Sequence, residues 1–474
     1  MKPIRVRLAP SPTGSLHIGT ARTGLFNYLF AKKMGGTFVL RIEDTDLERS
    51  EPAFEKDILE HLTWLGITWD EGPYRQSERL DIYEKYLLQL LHAEHIYYCF
   101  CREEELEIER QEMMTCGIAP KYSGRCRAIS SEDAKKRLAQ GESSVIRFKM
   151  PETRIVFQDM IRGKVEFDTG LFGDVVIAKN VRAPLYNFAV VVDDFEMNIS
   201  HVIRGEDHIS NTPKQIALQK ALGFTTPEYA HLPLILDKNR AKLSKRFNAV
   251  SILEYKNTGY LSGALFNFIA LLGWHPSASD TELLTQSELV EQFDISRVQK
   301  AGAIFDIEKL NWMNAHYIKE KTSEELVVLL DSFVPEEWVK HKEKLVAIVS
   351  LERERMKRLS EFTDLACFFF DMPEYDAQLL IWKTMSAQTA HDNLKEVSGV
   401  FSMYNGIWSS SALEPLIVPL TESRGRGEVL WPLRVALSGQ SHSPGPFEIA
   451  EVLGKEDSLM RITAALEKLA QLLK

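Results

Sequence analysis

The opening residues of the chain form a pattern that strongly limits the possible folds. Apolar residues alternate with arginines over 4–8, which is typical of a β-strand. Prolines and a glycine within 10–14 interrupt that strand, and apolar residues spaced four apart over 25–30 predict a helix. Ser15 is suited to cap the start of this helix. A strand that passes through a tight loop into a helix is the first unit of a parallel α/β sheet.

The start of this helix is a candidate binding site. Free backbone N–H groups and the positive end of the helix dipole favour an anion at such a position. His17 adds a side-chain donor there, and Gly19 lets a flat base or a sugar approach the backbone. An ordinary strand–helix turn with a surface histidine is the alternative interpretation.

A basic loop lies more than 200 residues further along the chain. Residues 238–246 read KNRAKLSKR, with five cations and no acid. The apolar run at 232–236 predicts a strand that ends just before this loop, and ligands of open α/β sheets bind at such strand ends. The loop as a whole is therefore a candidate binding element, although most charge runs are only solvated surface.

Together these stretches resemble known sequence signatures. Residues 17–20, HIGT, resemble the first signature of the class I aminoacyl-tRNA synthetases, and residues 242–246, KLSKR, resemble the second. Three further stretches, at 9–14, 41–46 and 186–194, resemble the bacterial type of the glutamyl-tRNA synthetase family. The resemblance covers nearly the whole chain and is most specific before residue 320.

The resemblance implies a ligase that attaches glutamate to tRNA(Glu). ATP would activate glutamate as glutamyl-adenylate with release of pyrophosphate, and transfer to a ribose hydroxyl of the tRNA, by class resemblance the 2′-hydroxyl, would release AMP. The expected substrates are therefore ATP, L-glutamate and tRNA(Glu), with Mg²⁺ as the companion of ATP. Enzymes of this type are also expected to need bound tRNA before they activate glutamate. Charging of tRNA(Gln) in addition to tRNA(Glu) stays an open alternative.

The resemblance also implies roles for individual residues. A guanidinium fork suits a carboxylate, and two arginines suit glutamate better than the neutral amide of glutamine. The glutamate-binding set is Arg7, Ala9, Ser11, Glu43, Tyr186 and Arg204. The ATP-binding set is Thr13, His17, Gly19, His208, Lys242 and Lys245. The catalytic set is His17, Gly19, Lys242, Ser244 and Lys245.

Four residues between 99 and 126 form a candidate zinc site. Three thiols could bind Zn²⁺, which favours four tetrahedral ligands. The pattern Cys-x-Cys with a distant third cysteine resembles the zinc knuckle of some bacterial glutamyl-tRNA synthetases. One version of that knuckle has a histidine where this chain has Ala128, and related enzymes use a tyrosine instead. The expected ligands are Cys99, Cys101, Tyr122 and Cys126, and a set of free, partly buried cysteines is the alternative.

The chain is too long for one domain, because single cores rarely grow beyond 300 residues and this chain has 474. We predict a multidomain protein whose Rossmann-like parallel-sheet α/β catalytic domain comprises residues 1–80 and 188–236. The predicted insertion, 81–187, is α+β and would bind the tRNA acceptor stem. Residues 237–322 would contact the stem and carry the second signature. The mostly α-helical region 323–474 would bind the anticodon, with two subdomains and Arg355 near the anticodon.

Two local predictions concern secondary structure. The continuous apolar run 188–192 predicts a strand buried on both faces. The glycine, proline and serine content of 430–447 predicts a loop between late helices.

Composition limits the compartment and the class of protein. An odd number of cysteines, five, argues against a disulfide framework, so we expect a cytoplasmic protein. No apolar run is long enough to span a membrane. We expect the protein to be a monomer. A net charge of −10 argues weakly against a non-specific nucleic-acid binder, although local basic patches can still contact phosphates.

Three other functions are alternatives to a ligase for tRNA(Glu). A ligase that glutamylates a modified tRNA base would lack the region after residue 323. A nucleotide adenylyltransferase would share the helix start but would not need the distant basic loop. A catalytically dead tRNA-binding protein is disfavoured because both signatures are intact.

Overall fold

The computed structural model describes residues 3–46, 48–243, 251–276 and 281–474. The chain divides into two compact units. The first comprises residues 1–256 and 262–310, and the second comprises 257–261 and 311–474. No helix among the described residues is long and apolar enough to cross a membrane.

The first unit begins with three parallel strands joined by helices. These elements are β1 (Arg5–Leu8), α1 (Ile18–Met34), β2 (Thr37–Ile42), α2 (Pro52–Trp64) and β3 (Glu71–Arg75). The strands pair in the order β1–β2–β3, and Arg7 lies opposite Val39. Parallel strands connected by crossover helices confirm the predicted Rossmann-like fold class.

The next segment forms a small sheet of its own and a separate hairpin. Its elements are α3 (Leu80–His92), β4 (Ile96–Cys99), α4 (Glu103–Thr115), α5 (Ser131–Ala139), β5 (Val145–Phe148), β6 (Arg154–Asp159), β7 (Gly163–Asp168), β8 (Val175–Asn180) and β9 (Ala183–Pro184). Strands β4, β5, β8 and β9 form an antiparallel sheet, whereas β6 and β7 form a hairpin. This segment therefore has the α+β character that the sequence predicts.

The chain then returns to the parallel sheet through α6 (Tyr186–Glu196), β10 (His201–Gly205), α7 (Thr212–Leu222) and β11 (Glu228–Leu232). The two sheets meet where the Ser200 N–H donates to the Arg5 carbonyl at 2.9 Å. Strands β10 and β11 pair in parallel, and β11 also pairs in parallel with β6 of the hairpin. The hairpin of the preceding segment thus extends the edge of the catalytic sheet.

The prediction of a strand at 188–192 is wrong, because these residues belong to helix α6. All five are buried. A short run without polar residues fits a helix that is covered on every side as well as it fits a central strand, so periodicity could not decide between them.

The remainder of the first unit consists of short strands and helices around the basic loop. The elements are β12 (Ile235–Leu236), α8 (Ile252–Asn257), α9 (Ser262–Ala270), α10 (Gln286–Gln292), β13 (Ala303–Ile304) and α11 (Ile307–Lys319), the last of which continues into the second unit. Strand β12, which ends just before the loop, pairs in parallel with β13.

The second unit is helical, as the sequence predicts. Its further helices are α12 (Ser323–Leu330), α13 (Glu336–Val339), α14 (Lys342–Glu352), α15 (Phe362–Ala366), α16 (Ala387–Met403), α17 (Ser410–Arg424), α18 (Arg426–Ser438) and α19 (Pro446–Leu472). Gly454 interrupts α19 with φ 81° and ψ 170°, a conformation that only glycine adopts readily.

The predicted loop at 430–447 is wrong over its first half. Helix α18 continues to Ser438 and α19 begins at Pro446. Buried packing of Leu433 and 435–437 outweighs the poor helix propensity of Pro432, because tertiary contacts supply most helix stability in proteins.

Candidate active site

One large cavity lies beside the carboxyl ends of β1, β2 and β10. Its volume is about 2040 Å³. Eleven of the thirteen residues that the sequence assigns to ATP, glutamate or catalysis line it: Arg7, Ala9, Ser11, Thr13, His17, Gly19, Glu43, Tyr186, Arg204, His208 and Lys242. The other two, Ser244 and Lys245, lie outside the described residues. The cavity therefore occupies the position where open parallel sheets bind their ligands.

His17, rather than Ser15, is the N-cap of helix α1. Its backbone is extended, at φ −97° and ψ 161°, and its Nδ1 accepts the N–H groups of Gly19 and Thr20 at 3.2 and 3.3 Å. Nδ1 must carry a lone pair to accept these bonds, so the neutral ring holds its proton on Nε2. Nε2 lies 3.0 Å from the Thr20 hydroxyl. The cap therefore fixes the tautomer that offers an N–H donor at the helix start.

Both flanks of the basic loop reach this cavity. The Asp237 N–H donates to the Ala241 carbonyl at 2.8 Å, and the Leu243 N–H donates to the Ile235 carbonyl at 3.0 Å. This turn brings Lys242 back alongside the end of β12. Beyond the loop, Ser251 pairs with His17 in an antiparallel bridge. Residues from the two signatures thus share one cavity despite their separation in the sequence.

Arg7 is held in the cavity wall by a buried carboxylate. Its Nε donates to Asp194 Oδ1 at 3.1 Å, and only 3% of Arg7 is exposed. Burial alone would raise the pKa of Asp194, but Arg7 and Arg41 outweigh burial and lower this pKa. The guanidinium of Arg7 is therefore fixed beside an ionised acid while it lines the cavity.

Arg41 lies behind the cavity and connects its charges. The side chain is fully buried, and its nitrogens reach Asp194 at 2.9 Å, Glu43 at 3.2 Å and Asp193 at 3.7 Å. Burial disfavours the charge, but these three carboxylates outweigh it and raise the pKa of Arg41. For Glu43, burial dominates over Arg41 and Arg7, so its pKa is raised.

Sequence reasoning missed the roles of Arg41, Asp193 and Asp194. A signal was present, because 188–194 places two acids directly after five apolar residues, and buried acids require partners. The identity of those partners was not readable, since they come from strands far away in the sequence.

Arg204 and Tyr186 line the same cavity. Arg204 Nη2 donates to Thr212 Oγ1 and Gln215 Oε1, each at 2.8 Å, whereas Nη1 lies 3.5 Å from the Tyr186 hydroxyl. That hydroxyl lies 3.0 Å from His208 Nδ1. Burial, assisted by the charge of Arg204, lowers the pKa of His208 to about 4. His208 is therefore neutral near pH 7.

The four expected zinc ligands also lie together. The sulfur atoms of Cys99, Cys101 and Cys126 all lie within 4.8 Å of one another. The Tyr122 hydroxyl lies 3.4 Å from Cys99 Sγ and 3.5 Å from Cys101 Sγ, and Cys101 Sγ lies 3.5 Å from Cys126 Sγ. Zinc–ligand bonds of about 2.0–2.3 Å at tetrahedral angles predict donor separations of roughly 3.5–3.8 Å. Three of the donor separations are therefore close to those of a tetrahedral zinc site.

Two family models match this chain. Residues 3–312 match the family model described as tRNA synthetases class I (E and Q), catalytic domain. The chain belongs to this class I family. Residues 324–466 match a second model, described as an anticodon binding domain.

Individual members of the family are similar over their whole length. Glutamate–tRNA ligases of Desulforamulus reducens and Carboxydothermus hydrogenoformans are each 45% identical to this chain. These alignments cover 98% and 97% of this chain, and 100% and 99% of the relatives. A solved glutamate tRNA ligase of Elizabethkingia meningosepticum, in complex with its amino acid, is 36% identical with a TM-score of 0.89. That match covers 99% of this chain and 100% of the other.

Proposed function

We propose that the enzyme is a glutamate–tRNA ligase that attaches glutamate to tRNA(Glu) through glutamyl-adenylate, releasing AMP and pyrophosphate. The observation that carries this proposal is that two buried arginines, Arg7 and Arg204, line the same cavity as the helix start at His17. Two fixed guanidinium groups suit a dicarboxylic amino acid. A helix start with an N–H donor suits a phosphate chain.

The amino acid occupies the part of the cavity near the arginines. Arg7 and Arg204 bind the side-chain carboxylate of glutamate, with the Tyr186 hydroxyl beside them, because charge-assisted bonds from two guanidinium groups favour an anion over an amide. Glu43 accepts the α-amino group, and the backbone and small side chains at Ala9 and Ser11 line the remaining space.

ATP occupies the part near the two signatures. Thr13, His17, Gly19 and His208 bind the nucleotide, and Lys242 and Lys245 approach the pyrophosphate that leaves, with Ser244 as an added hydroxyl. Mg²⁺ is expected to accompany ATP through its phosphate oxygens and water, which is how Mg²⁺ is often held. This arrangement acts through position and charge rather than through a covalent intermediate with the protein.

The reaction has two steps. An oxygen of the α-carboxylate of glutamate attacks the α-phosphorus of ATP, and the bond from that phosphorus to the pyrophosphate oxygen breaks. A ribose hydroxyl of the terminal tRNA adenosine then attacks the acyl carbon, the hydroxyl proton is lost, and AMP leaves. The lysines neutralise charge that develops on pyrophosphate, so Lys245→Ala should lower kcat more than it raises the KM for ATP. Near-normal turnover of this variant would contradict the role of Lys245.

We propose a structural zinc ion at Cys99, Cys101, Tyr122 and Cys126. The support is three donor separations close to those of a tetrahedron, together with three sulfur atoms that lie within 4.8 Å of one another. Such an ion would hold the start of α4 and the segment near 122–126 together. Purified enzyme stripped of loosely bound metal should contain about one zinc per chain, given a single set of four ligands. A Cys126→Ser variant should lose it, and a native enzyme that contains much less zinc would contradict this site.

The partners and the compartment follow from the same proposal. The region that matches an anticodon binding domain would recognise the anticodon of the tRNA. We further propose a monomer that works in the cytoplasm, in keeping with five free cysteines. Size-exclusion chromatography with light scattering tests the monomer.

Aminoacylation with purified tRNAs tests the proposed function. The enzyme should charge tRNA(Glu) with glutamate and should reject free glutamine as the amino acid. A parallel assay with tRNA(Gln) decides between an enzyme that charges one tRNA and an enzyme that charges both. Pyrophosphate exchange should require tRNA, and full exchange without it would contradict that expectation. Failure to charge any tRNA with glutamate would contradict the function itself.

A further inference from the structure

A buried aspartate–histidine pair lies behind Arg204, outside the cavity lining. Asp159 is the last residue of β6, and His231 lies in β11. His231 Nδ1 lies 2.6 Å from Asp159 Oδ2, and neither side chain is exposed. Buried charges are costly unless they are paired, so this pair requires a structural or functional reason.

The surroundings of Asp159 fix its charge. Its carboxylate accepts the backbone N–H groups of Ile161 at 2.9 Å, Arg162 at 2.8 Å and His231 at 3.1 Å. Burial would raise the pKa of Asp159, but the hydrogen bond from His231 and these N–H groups outweigh burial and lower the pKa. An ionised carboxylate has no proton to donate, so His231 Nδ1 must be the donor of their short bond.

This assignment decides what His231 presents on its other side. With the proton on Nδ1 of a neutral ring, Nε2 carries a lone pair. Burial, reinforced by the charge of Arg204, outweighs the Asp159 bond and lowers the pKa of His231, which keeps the ring neutral. Nε2 lies 3.3 Å from Arg204 Nε and 3.1 Å from the Thr212 hydroxyl. Both groups can donate to it.

The donors of Arg204 are then almost fully assigned. Nε donates to His231, and the two hydrogens of Nη2 match Thr212 and Gln215. Within the described part of the chain, Nη1 makes a long contact with the Tyr186 hydroxyl, at 3.5 Å. The guanidinium is thus held by three buried acceptors, and Nη1 is left on the side that lines the cavity.

We propose that Asp159 and His231 are positioning residues: the aspartate fixes the histidine tautomer, and the histidine lone pair fixes the rotation of Arg204 toward the substrate carboxylate. This inference rests on the proposed function, since it assumes that Arg204 binds glutamate. Asp159 belongs to the β6–β7 hairpin, and it forms the register pair with Tyr229 through which β6 joins β11 in the sheet. The preceding segment therefore supplies the residue that sets the arginine.

Two substitutions of His231 separate its two hydrogen bonds. His231→Asn places an amide where Nδ1 was, so it keeps a donor for Asp159 but removes the acceptor for Arg204. His231→Gln places an amide oxygen near the former Nε2, so it keeps that acceptor. Both variants remove the ring, and they differ by the one methylene that glutamine has in addition. Asp159→Asn is an independent variant, because its amide would donate to Nδ1, drive the proton to Nε2 and oppose Arg204.

The expected result is a change in one KM only. His231→Asn and Asp159→Asn should raise the KM for glutamate about ten-fold or more, because each variant misplaces a charge-assisted hydrogen bond to the substrate. The kcat and the KM for ATP should stay within about two-fold, as expected when ground-state binding of one substrate is lost. His231→Gln should stay within about three-fold of wild type for glutamate, since its acceptor remains.

Several outcomes would overturn this inference. An unchanged KM for glutamate in His231→Asn, equal impairment of His231→Gln, or a parallel rise in the KM for ATP would each do so. Nitrogen-15 NMR of histidine-labelled wild-type enzyme gives a test that needs no stable His231→Asn, because a buried Nε2–H tautomer at His231 would contradict it. A wild-type enzyme that fails to charge tRNA with glutamate would instead contradict the proposed function.

Discussion

At the scale of single residues, His17 combines two properties that His17→Ala removes together and that His17→Asn separates. The ring caps helix α1 through Nδ1 and offers Nε2–H beside the cavity. His17→Ala should therefore lose about 1 kcal/mol of unfolding free energy together with activity. His17→Asn should keep the cap, because asparagine is among the best N-cap residues, and yet lose activity. Urea unfolding and aminoacylation rates measure the two effects, and full activity in His17→Asn would contradict the proposed role of the ring.

Arg41 should be one of the most sensitive positions for stability. Its removal leaves Asp193, Asp194 and Glu43 buried without their shared cation, and breaking a buried pair in this way costs about 3–5 kcal/mol. Arg41→Met should therefore lose about that much unfolding free energy.

Arg5→Met is the matched control, because Arg5 pairs with Glu71 at 2.8 Å where the two side chains are 18% and 38% exposed. Partly exposed pairs contribute about 1 kcal/mol or less, so the control should lose far less. Equal losses in the two variants would show that burial of the Arg41 network does not control the outcome.

The sequence predicts the residues that line the cavity better than the residues that support them. His17, Arg7 and Lys242 lie in short stretches whose composition and position relative to strands indicate binding. Asp194 and Asp159 act through partners more than 70 residues away, at Arg7 and His231. Spacing along the chain carries no information about such pairs, because the fold alone brings them together.

At the scale of elements, two glycines in late helices should respond oppositely to the same substitution. Gly454 has φ 81°, whereas Gly399 lies inside helix α16, and an added Cβ would meet nothing within 4 Å at either position. Steric crowding is thus equal, and only the backbone differs. Gly454→Ala should cost about 1–3 kcal/mol, and Gly399→Ala should gain about 0.4–1 kcal/mol. Thermal unfolding of both variants checks this, and equal shifts would contradict the assignment of strain to Gly454.

Secondary structure could be read where one signal dominates. The alternation over 4–8 and the four-residue spacing over 25–30 correspond to β1 and α1. The run at 188–192 could not be assigned to a helix or a strand, because five consecutive apolar residues show no period. The helix within 430–438 was hidden by Pro432, whose local cost is overcome by contacts that the sequence does not display.

At the scale of the whole molecule, one buried acid should shape the pH dependence of stability. Glu352 is fully buried, and burial, opposed by Arg355 at 2.5 Å, raises its pKa to about 7. Its folded pKa exceeds the ordinary value, so its favourable contribution is complete below pH 4.5 and is lost as the pH rises through 7.

The Glu352→Gln variant should therefore remove this dependence. Relative to wild type, its unfolding free energy should improve by up to about 3 kcal/mol between pH 4.5 and 8, from about 1.4 kcal/mol for each unit of pKa. Denaturant unfolding of the full chain at a series of pH values measures the difference. A difference between variant and wild type that does not change with pH would contradict the raised pKa.

The hairpin at the edge of the catalytic sheet has a consequence for engineering. Because β6 pairs with β11 and ends in Asp159, the segment between α3 and β9 is not a detachable accessory. A shortened chain that joins the two halves of the sheet directly would discard the carboxylate beneath the pocket. A minimal catalytic fragment must therefore retain this hairpin. In a chimaera that exchanges the segment between relatives, the residue at the position of Asp159 will come from the relative that supplies the segment.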